Sequence, residues 1–232
     1  MEHIEREILL AVLKETSKAN YVRMEDISRE ARVPRGLIKE IIREFSENGL
    51  LKLDSESIVV DCGQRLKIAL RAVELGSDIE RVARFLTWAE FEDFSRISFE
   101  ENGFTVKMNF HFTWLKKRWE IDIVGIRKPL IISADCKHWR QKWSGSASLK
   151  AAEKQIERTR ALAESSKYLM NKIGINGWKY AYFVPVVLSL FPSQYKFHER
   201  TPIVPILSLN DFLKNVIVHL KDLNSFFVSY DT

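Results

Sequence analysis

Two carboxylates and an ammonium stand where apolar residues would cost less to bury. Asp122 interrupts the run Ile121-Asp122-Ile123-Val124-Gly125, and Asp135 and Lys137 close the run Leu130-Ile131-Ile132-Ser133-Ala134-Asp135-Cys136-Lys137. Charges inside strand-like apolar runs are expensive unless something compensates them. A divalent cation shared by the carboxylates, with the ammonium beside it, would do so. Oxygen-only ligands select a hard ion, Mg²⁺ or Mn²⁺. Such an ion polarises a phosphate and lowers the pKa of a bound water, which is the chemistry of phosphodiester hydrolysis. Lys137 would orient that water or stabilise the developing charge. The plainer alternative is a strand-end acid that forms a structural ion pair with Lys137 or another base.

These residues need a β-hairpin to bring them together. Alternation along a strand puts Asp135 and Lys137 on one face and Cys136 on the other. The turn Arg127-Lys128-Pro129 then folds Asp122 onto the neighbouring strand. Strands are expected at 104–112, 119–126 and 130–137. A helix at 88–101, with Phe91, Phe94 and Ile97 at helical intervals, precedes them and ends at Asn102-Gly103. A long helix at 147–172, strands at 179–190 and 202–207, and a helix from Ser208 to about Leu220 complete an α/β domain over 87–232. Ahead of it, helices at 4–16, 24–31 and from Pro34 to Glu47 are followed by two short apolar runs, 50–53 and 58–60. Three helices and a hairpin resemble an α+β winged-helix domain over 1–61. Two connector helices, 65–75 and 78–86, are expected in a segment spanning 62–86.

From residue 88 onwards the acids fall at particular places. Phe91-Glu92 stands eleven residues before Gly103-Phe104, Asp122 stands thirteen before Asp135, and residues 135–137 form an Asp-x-Lys triplet. In this the chain resembles the restriction-endonuclease-like superfamily, the PD-(D/E)xK nucleases. Within it the spacing is most similar to archaeal Holliday-junction resolvases and Mrr-type endonucleases. The resemblance implies a mixed β-sheet flanked by helices, Glu92 completing the metal shell, and work on DNA as a homodimer. It also implies that Gln155 is an accessory residue contacting the catalytic lysine or the substrate; an exposed helical glutamine is the plain alternative. Two departures stand out. Asp135 occupies a position where the family more often has Glu, and Ile121 one where proline often precedes the first Asp.

The charge balance suits an anionic partner: Lys+Arg number 36 against 31 Asp+Glu, with a pI of about 9.1. Arg35, Lys39 and Arg43 recur at i, i+4 and i+8 on the third helix and make a basic stripe that could meet DNA. The rival role for that domain is dimerisation or partner binding. Lys116, Lys117 and Arg118 form a basic hairpin tip that could grip a phosphate backbone, or are simply solvated. His138, Trp139, Arg140 and Lys142, with Trp143, interleave bases and aromatics that could stack on nucleobases, or the tryptophans pack under the loop. Leu223-Asn224-Ser225-Phe226-Phe227 has the spacing of peptides that dock on sliding clamps; the alternative is packing on its own domain. Cys62 and Cys136 give neither a disulfide framework nor metal-ligand spacing. No apolar run approaches membrane-spanning length and the charged start is not a secretory signal, so a cytoplasmic protein is expected. Two functions compete: a Mg²⁺- or Mn²⁺-dependent DNA endonuclease in repair, recombination or restriction, and a catalytically inactive nuclease-like transcription regulator that binds DNA or a transcription factor.

Overall fold

The computed structural model describes residues 2–78, 81–82, 84–137, 145–190 and 192–230. The chain divides into two compact units, residues 1–94 and 95–232. His138, Trp139, Arg140 and Lys142 lie outside the described residues, and the expected helix at 78–86 crosses residues 79, 80 and 83, which also lie outside them.

In the first unit, α1 (Glu2–Glu15), α2 (Met24–Ala31) and α3 (Arg35–Glu47) fall where helical periodicity placed them. Ile8, Leu9, Val12 and Leu13 of α1 are fully buried, as are Ile38 and Ile42 of α3. Pro34 is the N-cap of α3 rather than its first residue. Strands β2 (Lys52–Asp54) and β3 (Ser57–Val59) form the expected hairpin. A short strand with no periodic signal of its own, β1 (Tyr21–Arg23), joins it in the antiparallel order β1-β3-β2. Helix α4 (Cys62–Glu74) begins at a capping box: Asp61 accepts from Gln64 N at 2.8 Å, and Gln64 accepts from Asp61 N at 3.1 Å. This segment was expected to be a connector, but it is part of the unit's core. Arg65 is buried and donates to the Glu90 carboxylate, the Thr16 hydroxyl and the carbonyls of Leu13 and Phe85. A buried guanidinium needs that many acceptors to offset its desolvation.

Helix α5 (Trp88–Glu101) crosses the boundary between Phe94 and Ser95. The second unit then runs β4 (Thr105–Trp114), β5 (Lys117–Arg127), β6 (Leu130–Lys137), α6 (Gly145–Ile173), β7 (Tyr180–Ser189), β8 (Phe197–His198), β9 (Thr201–Pro205), a 3₁₀ turn (Ile206–Ser208), α7 (Leu209–Asn215) and β10 (Phe226–Ser229). The sheet order is β4-β5-β6-β7-β9-β8, with β10 beside the first half of β7. It is mixed: β4, β5 and β6 are antiparallel, whereas β6, β7 and β9 run parallel. The fold is therefore α/β, with helices flanking a β-sheet. Helix α6 lies along one face, and Phe99 of α5 presses on Gly125 at the other. Coverage of both faces explains why β6 and β7 read as near-continuous apolar runs.

Two local expectations change. The last helix ends at Asn215 rather than near Leu220. The strands beside the basic tip extend to Trp114 and from Lys117, leaving the two-residue turn Leu115-Lys116. The tail considered for clamp docking packs on its own domain, as its other reading had it: it is a strand of the same sheet, with Leu223 buried, Phe226 on the core and Phe227 exposed. Among the described residues no helix is long and apolar enough to cross a membrane.

Candidate active site

Strands β5 and β6 pair from Arg127↔Leu130 up to Ile123↔Ala134, and there they part. Beyond that point, among the described residues, β5 pairs with β4 alone, while β6 continues beside β7 to Lys137↔Ser189. Asp122 and Asp135 are the first residues past the fork. The Cys136 N–H donates to Asp122 Oδ2 at 2.7 Å. Asn109, across β4–β5 from Asp122, sits in the left-handed region at φ 48°. Asn tolerates that conformation better than most residues. The sheet is thus opened on both sides of the acid, so a carboxylate can replace backbone as hydrogen-bond partner.

Asp135 is 2% exposed, and both of its oxygens are held. Lys137 Nζ lies 2.7 Å from Oδ2, and the Arg158 guanidinium donates to Oδ1. Two residues earlier on the same face, Ser133 receives Gln155. The Gln155 amide donates to the Ser133 carbonyl at 2.7 Å and to its hydroxyl at 2.8 Å. Gln155 is fully buried, against the plain alternative of a solvated glutamine, and it grips Ser133 rather than Lys137. Its Oε1 is buried with no hydrogen-bond partner among the described residues.

Sequence reasoning missed Arg158. Its place three residues after Gln155 puts the two on one helix face, but only the packing of α6 on β6 shows which acid it meets. With Arg158 the group is Asp122, Asp135, Lys137 and Arg158, two anions against two cations. The Asp122 carboxyl is pushed above its ordinary 3.8, first by burial and also by the Asp135 charge; the Cys136 N–H, Lys137 and Arg158 act in the opposite direction.

That shift sets a pH dependence. The neutral form of Asp122 is favoured by folding. Its contribution to stability is therefore fully present below pH 3.8 and is lost as pH rises through the raised folded value. At pH 7 in EDTA, Asp122→Asn should melt above wild type, because Asn keeps an oxygen for Cys136 N–H without the buried charge. The gap should close as pH falls towards 3.8. Thermal melts across that range check this, and a constant or inverted gap would contradict it.

The donor set suits a hard divalent cation, because two adjacent carboxylates, one of them hindered from ionising, are what such an ion relieves. Among the described residues, no three or more His, Cys, Asp and Glu side chains gather to hold a metal. Asp122 and Asp135 stand as a pair. Glu92 is half-buried on α5 and is counted in the first unit.

The expected nucleic-acid contacts are differently placed. Lys116, Lys117 and Arg118 are exposed at the β4–β5 tip. On α3, Arg35 pairs with Glu25 at 3.1 Å and Glu56 at 3.2 Å, and Lys39 lies 4.0 Å from Glu56. The hairpin's own acid thus occupies two members of the basic stripe, while Arg43 is exposed. Ion pairs this exposed are weak and readily exchanged for phosphate.

No family model matches the chain. An uncharacterized protein of Archaeoglobus fulgidus is 31% identical over 137 residues, which are 59% of this chain and 97% of that protein. Among solved structures, a protein of unknown function is 20% identical at a TM-score of 0.30, covering 43% of this chain and 46% of its own. A Vibrio cholerae protein is 12% identical at a TM-score of 0.37, covering 95% of this chain and 53% of its own. The chain spans about half the length of each of these two solved chains.

Proposed function

We propose that this chain, which belongs to one family with the uncharacterized Archaeoglobus fulgidus protein, is a Mg²⁺- or Mn²⁺-dependent DNA endonuclease. One observation carries the reading: at the fork of β5 and β6, Asp122 reaches Cys136 N–H and comes beside Asp135, with Lys137 on the same strand face as Asp135. A purely structural Asp135–Lys137 pair needs no second acid turned into the gap. The element order of the second unit supports a restriction-endonuclease-like core, and that of the first supports a winged helix.

Asp122 and Asp135 would hold the ion, with Glu92 as the further ligand that the resemblance implies. When bound, the ion supplies the charge that polarises the scissile phosphate and acidifies a water. Lys137, which holds Asp135 Oδ2, would position the attacking water and stabilise charge on the phosphate. Arg158, the other partner of Asp135, would be placed to take a phosphate oxygen. Gln155 locks the Ser133 backbone and so fixes the strand that carries both Asp135 and Lys137. DNA is the partner, and a homodimer is the assembly that the resemblance implies.

A second reading has its own support. Lys137 and Arg158 already hold both oxygens of Asp135, as in a site that binds no metal, and this favours a non-catalytic regulator. Plasmid nicking separates the two. Pure wild type with Mn²⁺ should relax supercoiled plasmid, and Lys137→Ala should be slower by about 10²-fold or more. If wild type leaves plasmid, branched and single-stranded DNA intact in both Mg²⁺ and Mn²⁺, the catalytic reading fails.

A further inference from the structure

The β4–β5 tip carries two costs at the same residue. Leu115 is 78% exposed, and it sits in the left-handed region at φ 48°, followed by Lys116 at φ 63°. Two-residue hairpins that need positive φ at both central positions are ordinarily built with Asn-Gly or Asp-Gly, which remove the strain and expose no apolar side chain. Here a leucine is held outward instead, and its mounting is firm. Trp114 packs against Tyr168 at 5.8 Å and donates to Glu164 at 3.1 Å, while Lys117 covers the Trp119 ring at 3.7 Å. Lys116, Lys117 and Arg118 follow the leucine and are exposed, while Glu157 and Glu164 of α6 line the same hollow as Leu115.

An apolar side chain on a hairpin tip beside three consecutive cations fits a polyanion whose interior is apolar and stacked. We propose that Leu115 is a wedge that enters a duplex at a break in base stacking, such as a nick or a branch point, while the basic tip grips the flanking phosphates. The wedge would select the substrate for the nuclease site proposed above, and to that extent it rests on that reading. Lys117, the first residue of β5 after the tip, stands five residues from Asp122, about 17 Å away along the strand. At 3.4 Å per nucleotide, this places the cut about five nucleotides from the break.

The test uses full-length protein in EDTA and duplexes carrying 2-aminopurine, either intact or beside a nick. Wild type should raise the fluorescence of the nicked duplex at least about twofold and leave the intact duplex unchanged. Leu115→Ala should abolish the rise while binding both duplexes within about threefold of wild type, because the phosphate contacts remain. Leu115→Phe should keep it. Leu115→Gly relieves the left-handed strain, so its melting temperature should equal or exceed that of wild type, and loss of the rise there is not unfolding. The wedge is overturned if wild type gives no rise, if Leu115→Ala matches wild type, or if either small variant changes the sedimentation of the free protein, which would mark the tip as a self-association contact. Asp135→Asn should give the wild-type rise. In wild type, a rise without plasmid cleavage would retain the wedge and reject the nuclease, whereas cleavage without a rise would do the reverse.

Discussion

Asp135→Asn is expected to lower Mn²⁺-dependent plasmid nicking by about 10³-fold while leaving affinity for DNA in EDTA within about threefold. Asn has nearly the shape of Asp but lacks the anionic oxygens that a hard cation requires. It also gives Lys137 and Arg158 nothing charged to release. Those cations are 30% and 29% exposed and can turn to water, so the folding cost should stay near 1 kcal/mol rather than that of a fully buried broken pair. Circular dichroism would verify the fold, and single-turnover nicking would give the rate. Asp135→Glu should keep measurable activity, since it restores the charge on a longer arm. Equal nicking by wild type and Asp135→Asn would remove Asp135 from the chemistry whatever its neighbours are.

Gly125→Ala tests the scaffold beneath the site. A Cβ at Gly125 would lie 2.4 Å and 2.5 Å from ring carbons of Phe99 and 3.4 Å from Phe104. Phe99 is fully buried and meets Phe104 edge-on at 5.5 Å, so the ring has nowhere to retreat. Overpacking of this kind costs about 3 kcal/mol, which for a chain of this size lowers Tm by roughly 6–12 °C. Gly125→Ala combined with Phe99→Leu should recover much of the loss, because the two positions share one contact. A Tm within about 2 °C of wild type would mean that the ring is not pinned. Nicking by the single variant should fall only as the folded fraction falls, since Gly125 faces away from Asp122 and Asp135.

The elements closest to the site were legible because their signals are local. Helix α5 spans Trp88–Glu101 and β6 spans Leu130–Lys137, the ranges set by apolar periodicity and by the stops at Asn102-Gly103 and Pro129. Pairing of Arg127 with Leu130 makes residues 122 and 135 neighbours by counting alone, so their convergence followed from the turn. Alternation likewise put Cys136 on the face opposite Asp135 and Lys137.

What the periodicity could not carry is which distant groups meet. Arg158 reaches Asp135 across twenty-three residues of chain. β10 finds β7 from the far end of the domain, and Glu56 returns to occupy Arg35 and Lys39. The outward leucine at the hairpin tip has no turn signal to announce it, because Leu-Lys is a costly choice for left-handed backbone.

Side-chain period and turn length set which face a residue takes and which neighbour lies one strand away, and these belong to the chain itself. Whether the carboxylates face each other bare or already paired depends on how α6 docks on the sheet. That docking is decided by non-local packing of buried side chains, which no short window of residues encodes.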